Sequence, residues 1–127
     1  MGVKEIMNAD ESGQELIRFA EAKASDLVRK LKRTQIRNIF TEARQIEALW
    51  EKGNSNELAL RRLSMLKPKL AYQAKRHQPV EELKKVLDEA IDEIFKAEGD
   101  EQRYQKFKRF MELFEAILAF HRAKGGE

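Results

Sequence analysis

Apolar residues recur at helical spacing from Thr34 to the end of the chain, and the pattern breaks only at Gly53, Gln78-Pro79 and Gly99-Asp100. A stripe of that period is buried by a helix and by nothing else, so four long helices follow from the spacing alone. Over residues 34–52 the stripe is Ile36, Ile39, Phe40, Ala43, Ile46 and Trp50; Gly53 stops it, and Asn54-Ser55-Asn56 supplies turn and cap residues. The next stripe, Ala59, Leu63, Leu66, Leu70 and Ala74, keeps one phase across Pro68. An internal proline removes one hydrogen bond and crowds the preceding turn, so a continuous helix from about Asn56 to His77, kinked near Ser64–Lys67, is expected. Pro79 then opens a helix over 81–98 that buries Leu83, Leu87, Ala90, Ile91 and Ile94. Its other face carries Glu81, Glu82, Asp88, Glu89, Asp92 and Glu93. The last helix, about 101–123, buries Tyr104, Phe107, Phe110, Met111, Phe114, Ile117 and Leu118, with Phe120 off the centre of that face.

Upstream, Ser12 and Glu15 have the spacing of a capping box. A helix over Gln14–Ala24 would place Leu16, Ile17, Ala20 and Ala24 on one side. Ser25-Asp26 can restart a short helix through Leu27, Val28 and Leu31, and Thr34 is a second N-cap candidate. Residues 1–11 are polar and read as a mobile leader, and 124–127 as a fraying end. With no alternating β pattern, no hairpin turn and no internal repeat, the expectation is one all-α domain over 1–127. It is a compact bundle of five to six helices, one of them kinked at Pro68.

The chain has no cysteine, which excludes disulfides and thiolate metal sites. Its start lacks the basic end and apolar core of a signal peptide, and no apolar run approaches the roughly 20 residues of a membrane span. A cytoplasmic protein without a membrane partner is expected. His77 and His121 belong to no His-Glu-x-x-His or Glu-x-x-His pattern. His121 is in phase with Phe107, Phe114 and Leu118 and reads as a core or helix-end histidine, while His77 suits a helix C-terminus. The pairs Asp88/Asp92 and Glu89/Glu93 lie on an outer acidic face, which reads as solvated or turned to a basic partner. Glycine-rich phosphate loops, nucleophile elbows and Ser-His-Asp sets are missing. The chain is read as a non-enzyme with no metal, cofactor or small-molecule substrate.

The net charge of +3 conceals strong segregation: −3 over 1–22, +5 over 23–44, −2 over 45–60, +6 over 61–77, −6 over 81–101 and +3 over 102–127. At 100° per residue, Arg33, Arg37 and Arg44 fall within about 40° of one another beside the apolar stripe of their helix. On the proline-containing helix, Arg62, Lys69 and Arg76 recur every seven residues, and Lys67 and Lys75 lie in the same acid-free run. If the two helices are neighbours, the stripes can join into a groove that follows a phosphate backbone. Guanidinium forks suit phosphate oxygens. Base-specific reading is not indicated, since no helix-turn-helix or zinc-finger pattern occurs. Met65 and Tyr72 project roughly opposite the core leucines, toward solvent or a partner.

Three stretches resemble a known family. They are Lys32-Arg33-Thr34-Gln35-Ile36-Arg37, the run Leu66-Lys67-Pro68-Lys69-Leu70-Ala71-Tyr72-Gln73-Ala74-Lys75-Arg76, and Phe110 to His121 with Glu115-Ala116-Ile117-Leu118-Ala119-Phe120. In this order, over residues 32–121, they resemble the small subunit of type III-A CRISPR effector complexes, the Csm class. Phe120 stands where that family usually has tyrosine, which removes a hydroxyl, and arginine rather than a small polar residue precedes Thr34.

The resemblance implies a helical, non-catalytic subunit, present in several copies and stacked along the guide RNA and target RNA within an antiviral complex whose cutting is done by other subunits. It implies RNA contact by Arg37, Lys69 and Arg76 first, with Lys67 and Lys75 next; Arg33, Arg44 and Arg62 complete the candidate set from the charge stripes. Partners would be the two RNAs, sister Csm subunits and further copies of the chain, whose basic surface the acidic helix could meet. The rival expectation is a free-standing dimeric helical adaptor that uses Met65, Tyr72 and Phe120 to hold a protein and has no nucleic-acid role.

Overall fold

The structure, a computed structural model, describes residues 2–51 and 56–126. These form six helices: α1 Val3–Ala9, α2 Gln14–Leu27, α3 Arg33–Glu51, α4 Asn56–Arg76, α5 Val80–Lys96 and α6 Asp100–Ala123, with no strand among the described residues. The all-α bundle is as the spacing predicts. Helices α3, α4, α5 and α6 pack in a ring, each against the next and α6 back against α3; α2 lies against α6, and α1 against α5 and α6. The predicted stop and cap at 53–55 lie outside the described residues.

The buried set follows the sequence stripes closely. Ile36, Ile39, Ala43, Ile46 and Trp50 of α3, Ala59, Leu63, Leu66, Leu70 and Ala74 of α4, and Leu83, Leu87, Ala90, Ile91 and Ile94 of α5 are all buried. Helix α4 runs unbroken through Pro68, as the shared phase requires. Aromatic rings join α3 to α6: Trp50 stacks on Phe107 at 4.8 Å, Phe107 on Phe110 at 5.8 Å, and Phe40 meets Phe114 edge-on at 5.1 Å.

Several local expectations are corrected. Residues 3–9 are a helix, not an unstructured leader: Val3, Ile6 and Met7 share one face at i, i+3, i+4 and are buried. Arg109 of α6 donates to the Ile6 carbonyl at 2.9 Å. Ser12 Oγ accepts from the Gln14 N–H only at 3.4 Å, and the main cap of α2 is Asp10. Its two carboxylate oxygens accept from the backbone N–H groups of Glu15 (3.1 Å) and Leu16 (2.8 Å), because Gly13, at φ 79°, folds the preceding loop back over the helix end. Ile17 is exposed rather than in the core. Ser25-Asp26 starts no new helix; α2 continues to Leu27, and the turn after it holds Leu31 in the core. Thr34 lies inside α3 rather than capping it. The Gln35 side chain instead accepts from the Lys32 N–H at 3.1 Å, the returning half of a capping box.

The far end is tied down as well. The Gly126 N–H donates to the His121 carbonyl at 2.8 Å, and Arg33 donates to the Gly126 carbonyl at 3.0 Å. His121 is fully buried, as its phase predicts, with Nε2 2.6 Å from the Leu31 carbonyl. A carbonyl only accepts, so Nε2 carries the proton. Gly126 lies against this ring: a Cβ there would sit 2.1 Å from Nδ1, so only glycine fits. Residues 124–126 therefore close over α6 instead of fraying; Glu127 lies outside the described residues.

Glu93 is the other departure, buried rather than on the outer acidic face. Asn8 of α1 donates to its Oε1 at 2.8 Å, and Lys96 lies 3.2 Å from Oε2. The Asn8 hydrogen bond holds the Glu93 carboxyl below the usual carboxylate range; burial opposes this, and the lysines at 96 and 4 reinforce it. A folded-state pKa below the unfolded one gives stability that is complete above about pH 4.3 and is lost as pH falls through the folded value. Urea melts between about pH 5 and pH 3 are expected to show a steeper loss in the parent than in Glu93→Gln. Parallel curves would refute this role for the clamp.

Candidate nucleic-acid interface

The eight predicted basic residues do not form one surface. Arg33 and Arg44 turn toward the α6 flank of α3. Arg33 is half-buried against Gly126, and Arg44 meets Glu47 at 2.7 Å, Glu115 of α6 at 3.6 Å and the Phe40 ring at 4.9 Å. Arg62 and Lys69 lie on the opposite flank, where α4 packs on α3. There Glu42 stands between them, 3.9 Å from Arg62 and 3.1 Å from Lys69, and Arg62 also donates to Gln45 at 3.2 Å. Lys67 turns the other way, to Asp92 of α5. The α3 and α4 stripes therefore flank α3 on two sides and do not join into a groove.

Three of the eight remain: Arg37, Lys75 and Arg76 are exposed. None of their cationic groups has a carboxylate partner among the described residues, although Arg76 lies over the Tyr72 ring, 5.6 Å from its centroid. The pairs on Glu42 are themselves half-exposed and worth only about 0–1 kcal/mol each, so Lys69 and Arg62 can exchange a carboxylate for a phosphate at small cost.

Between α3 and α4 runs an open cavity of about 380 Å³, walled by Ile39, Met65, Leu66, Pro68, Leu70 and Tyr72 and edged by Asn38, Glu42, Lys69 and Gln73. Met65 and Tyr72 are well exposed, as their opposition to the core leucines requires.

Compared with models of known protein families, the chain matches Csm2 Type III-A over residues 10–127. It belongs to that family. No curated protein and no solved structure matched it. Membership makes the chain a subunit of the type III-A CRISPR (Csm) complex, as the three sequence stretches imply.

The Csm2 match takes in α2 to α6 and all eight basic candidates, and it begins after α1. Within the Csm2 span, α5 presents a less uniformly acidic face than its sequence indicates. Asp88 pairs with Lys84 at 2.9 Å, a bond that raises the Lys84 pKa, Asp92 pairs with Lys67, and Glu82 lies 3.5 Å from Lys30. Glu89 stays exposed. Among the described residues no three His, Asp or Glu side chains converge to hold a metal, and no helix is long and apolar enough to cross a membrane.

Glu42 was not among the sequence candidates, yet it sets the charge of the α3–α4 seam. Its signal was available: it follows Ile39 by three positions and precedes Ile46 by four, which puts it on the packing flank of α3.

Proposed function

We propose that this Csm2-family chain is the non-catalytic small subunit that stacks in several copies along the guide RNA–target RNA duplex and grips its phosphates. Arg37, Lys75 and Arg76 make the primary contacts. Lys69 and Arg62 contribute by exchanging Glu42 for phosphate, and Lys67 by exchanging Asp92. Arg33 and Arg44, already satisfied by Gly126, Glu47 and Glu115, have the smaller share. The observation that carries this reading is the set of three exposed basic side chains, from two neighbouring helices, without carboxylate partners among the described residues. Backbone gripping without base reading is what such exposed cations support, since phosphate contacts position a protein but carry no sequence information. Exposed Glu89 of α5 would meet the basic surface of the next copy.

The test is co-purification. The tagged chain, expressed with its sister subunits and a guide RNA, is expected to bring down both, with more than one copy of the chain per RNA. Sister proteins without RNA, or a free dimer of the chain alone, would instead support the adaptor reading that exposed Met65 and Tyr72 favour.

A further inference from the structure

The α3–α4 cavity has chemistry that phosphate contact does not use. Among the described residues Tyr72 is the most exposed large apolar side chain, at 61%. It is no isolated ring on a charged surface: Met65 and Pro68 extend it into an apolar wall along α4, and the carboxamides of Asn38 and Gln73 edge the same cavity. Its volume, about 380 Å³, is within the range that small ring systems occupy in proteins. The Arg76 guanidinium lies over the ring, so a cation already sits beside the π system. Lys69 is at the edge of the cavity, and Lys75 is exposed nearby on the same helix.

A flat apolar platform, two amides that each donate and accept, and a basic rim on which Glu42 is held by Lys69 and Arg62, together fit one kind of occupant. We propose that Tyr72 is a stacking platform for an unpaired nucleobase of single-stranded RNA, with the flanking phosphates reaching Lys75 and Arg76. The assignment rests on the RNA-binding reading above and adds a base contact to it. Protein partners fit less well, because they would have to bring an acidic group and a flat apolar one to the same point from separate side chains, whereas a nucleotide carries both. Any base has a π face, and Asn38 and Gln73 can turn either amide atom to a base edge, so no sequence preference is expected.

The experiment uses the full chain with a short uridine oligonucleotide and an abasic analogue of equal length and charge. The parent is expected to bind the uridine strand about tenfold more tightly than the abasic one. Tyr72→Leu should abolish that difference and leave abasic binding unchanged; Tyr72→Phe, which keeps the ring, should retain it. Uridine binding by Tyr72→Leu equal to the parent would overturn stacking while leaving the RNA reading intact, and so would an equal loss on both strands. A parallel readout needs no variant: 4-thiouridine RNA in the assembled complex should crosslink to Tyr72. A crosslink elsewhere, or protection of Tyr72 by a sister subunit, also overturns the platform. If neither strand binds and no crosslink forms in the complex, the RNA reading falls with it.

Discussion

Phe114→Ala is expected to lower the unfolding free energy by about 3–5 kcal/mol, the usual cost of emptying a fully enclosed aromatic site. Phe114 has no exposed surface, meets Phe40 of α3 edge-on at 5.1 Å, and faces Phe110 at 6.2 Å and a 72° interplanar angle. It therefore holds together the two helices whose stacked rings, from Trp50 to Phe40, form the aromatic spine of the bundle. The rings sit among rigid helix–helix contacts, so collapse into the vacated space would be partial and a cavity term would add to the lost transfer free energy. Against a total stability of about 5–15 kcal/mol, such a loss is a large share. In urea the transition midpoint should fall sharply at unchanged slope, whereas Tyr72→Ala, at an exposed site, should stay within about 0.5 kcal/mol of the parent. A Phe114→Ala loss below about 1 kcal/mol would show that α3 and α6 are not joined there.

The core was legible because burial and helical period are one constraint: every stripe residue named for α4 and α5 is buried. The errors lie where a side chain acts across a gap in sequence. Asp10 caps α2 from five and six positions away because Gly13 turns the chain back, and local spacing pointed to Ser12. Helix α1 is a seven-residue element held by Arg109 and Glu93, 103 and 85 residues from the groups they bind, so its short Val3-Ile6-Met7 pattern was not read as a helix. A helix of that length is not stable by propensity alone.

The site divides in the same way. That the charges lie beside the apolar stripes could be read from the period; which charges stay free could not, because it depends on helix pairing. Arg44 and Arg37 are equivalent on a helical wheel, yet one faces Glu115 of α6 and the other faces solvent. Lys69 and Arg76 share a stripe, but only Lys69 reaches Glu42.

That sorting sets the second large effect. Replacing Arg37, Lys75 and Arg76 together by alanine is expected to weaken binding to RNA by roughly 1–3 kcal/mol, or about 5- to 150-fold, at low salt. Arg44→Ala removes a guanidinium already engaged within the protein and should cost less than any one of the three. The fold should be unaffected, since none of the three side chains contributes to the core. Equal losses for Arg44→Ala and the triple variant would mean that overall charge, rather than these three side chains, attracts RNA.

The dependence of affinity on salt tests phosphate gripping most directly, because each neutralised phosphate releases counterions and steepens the fall of log K with log salt concentration. For single-stranded RNA the slope should become shallower by about 2 in the Arg37/Lys75/Arg76 triple alanine variant, at about 0.7 for each phosphate that is no longer neutralised. A parent and variant with the same slope would contradict the assignment of these three residues to the RNA backbone.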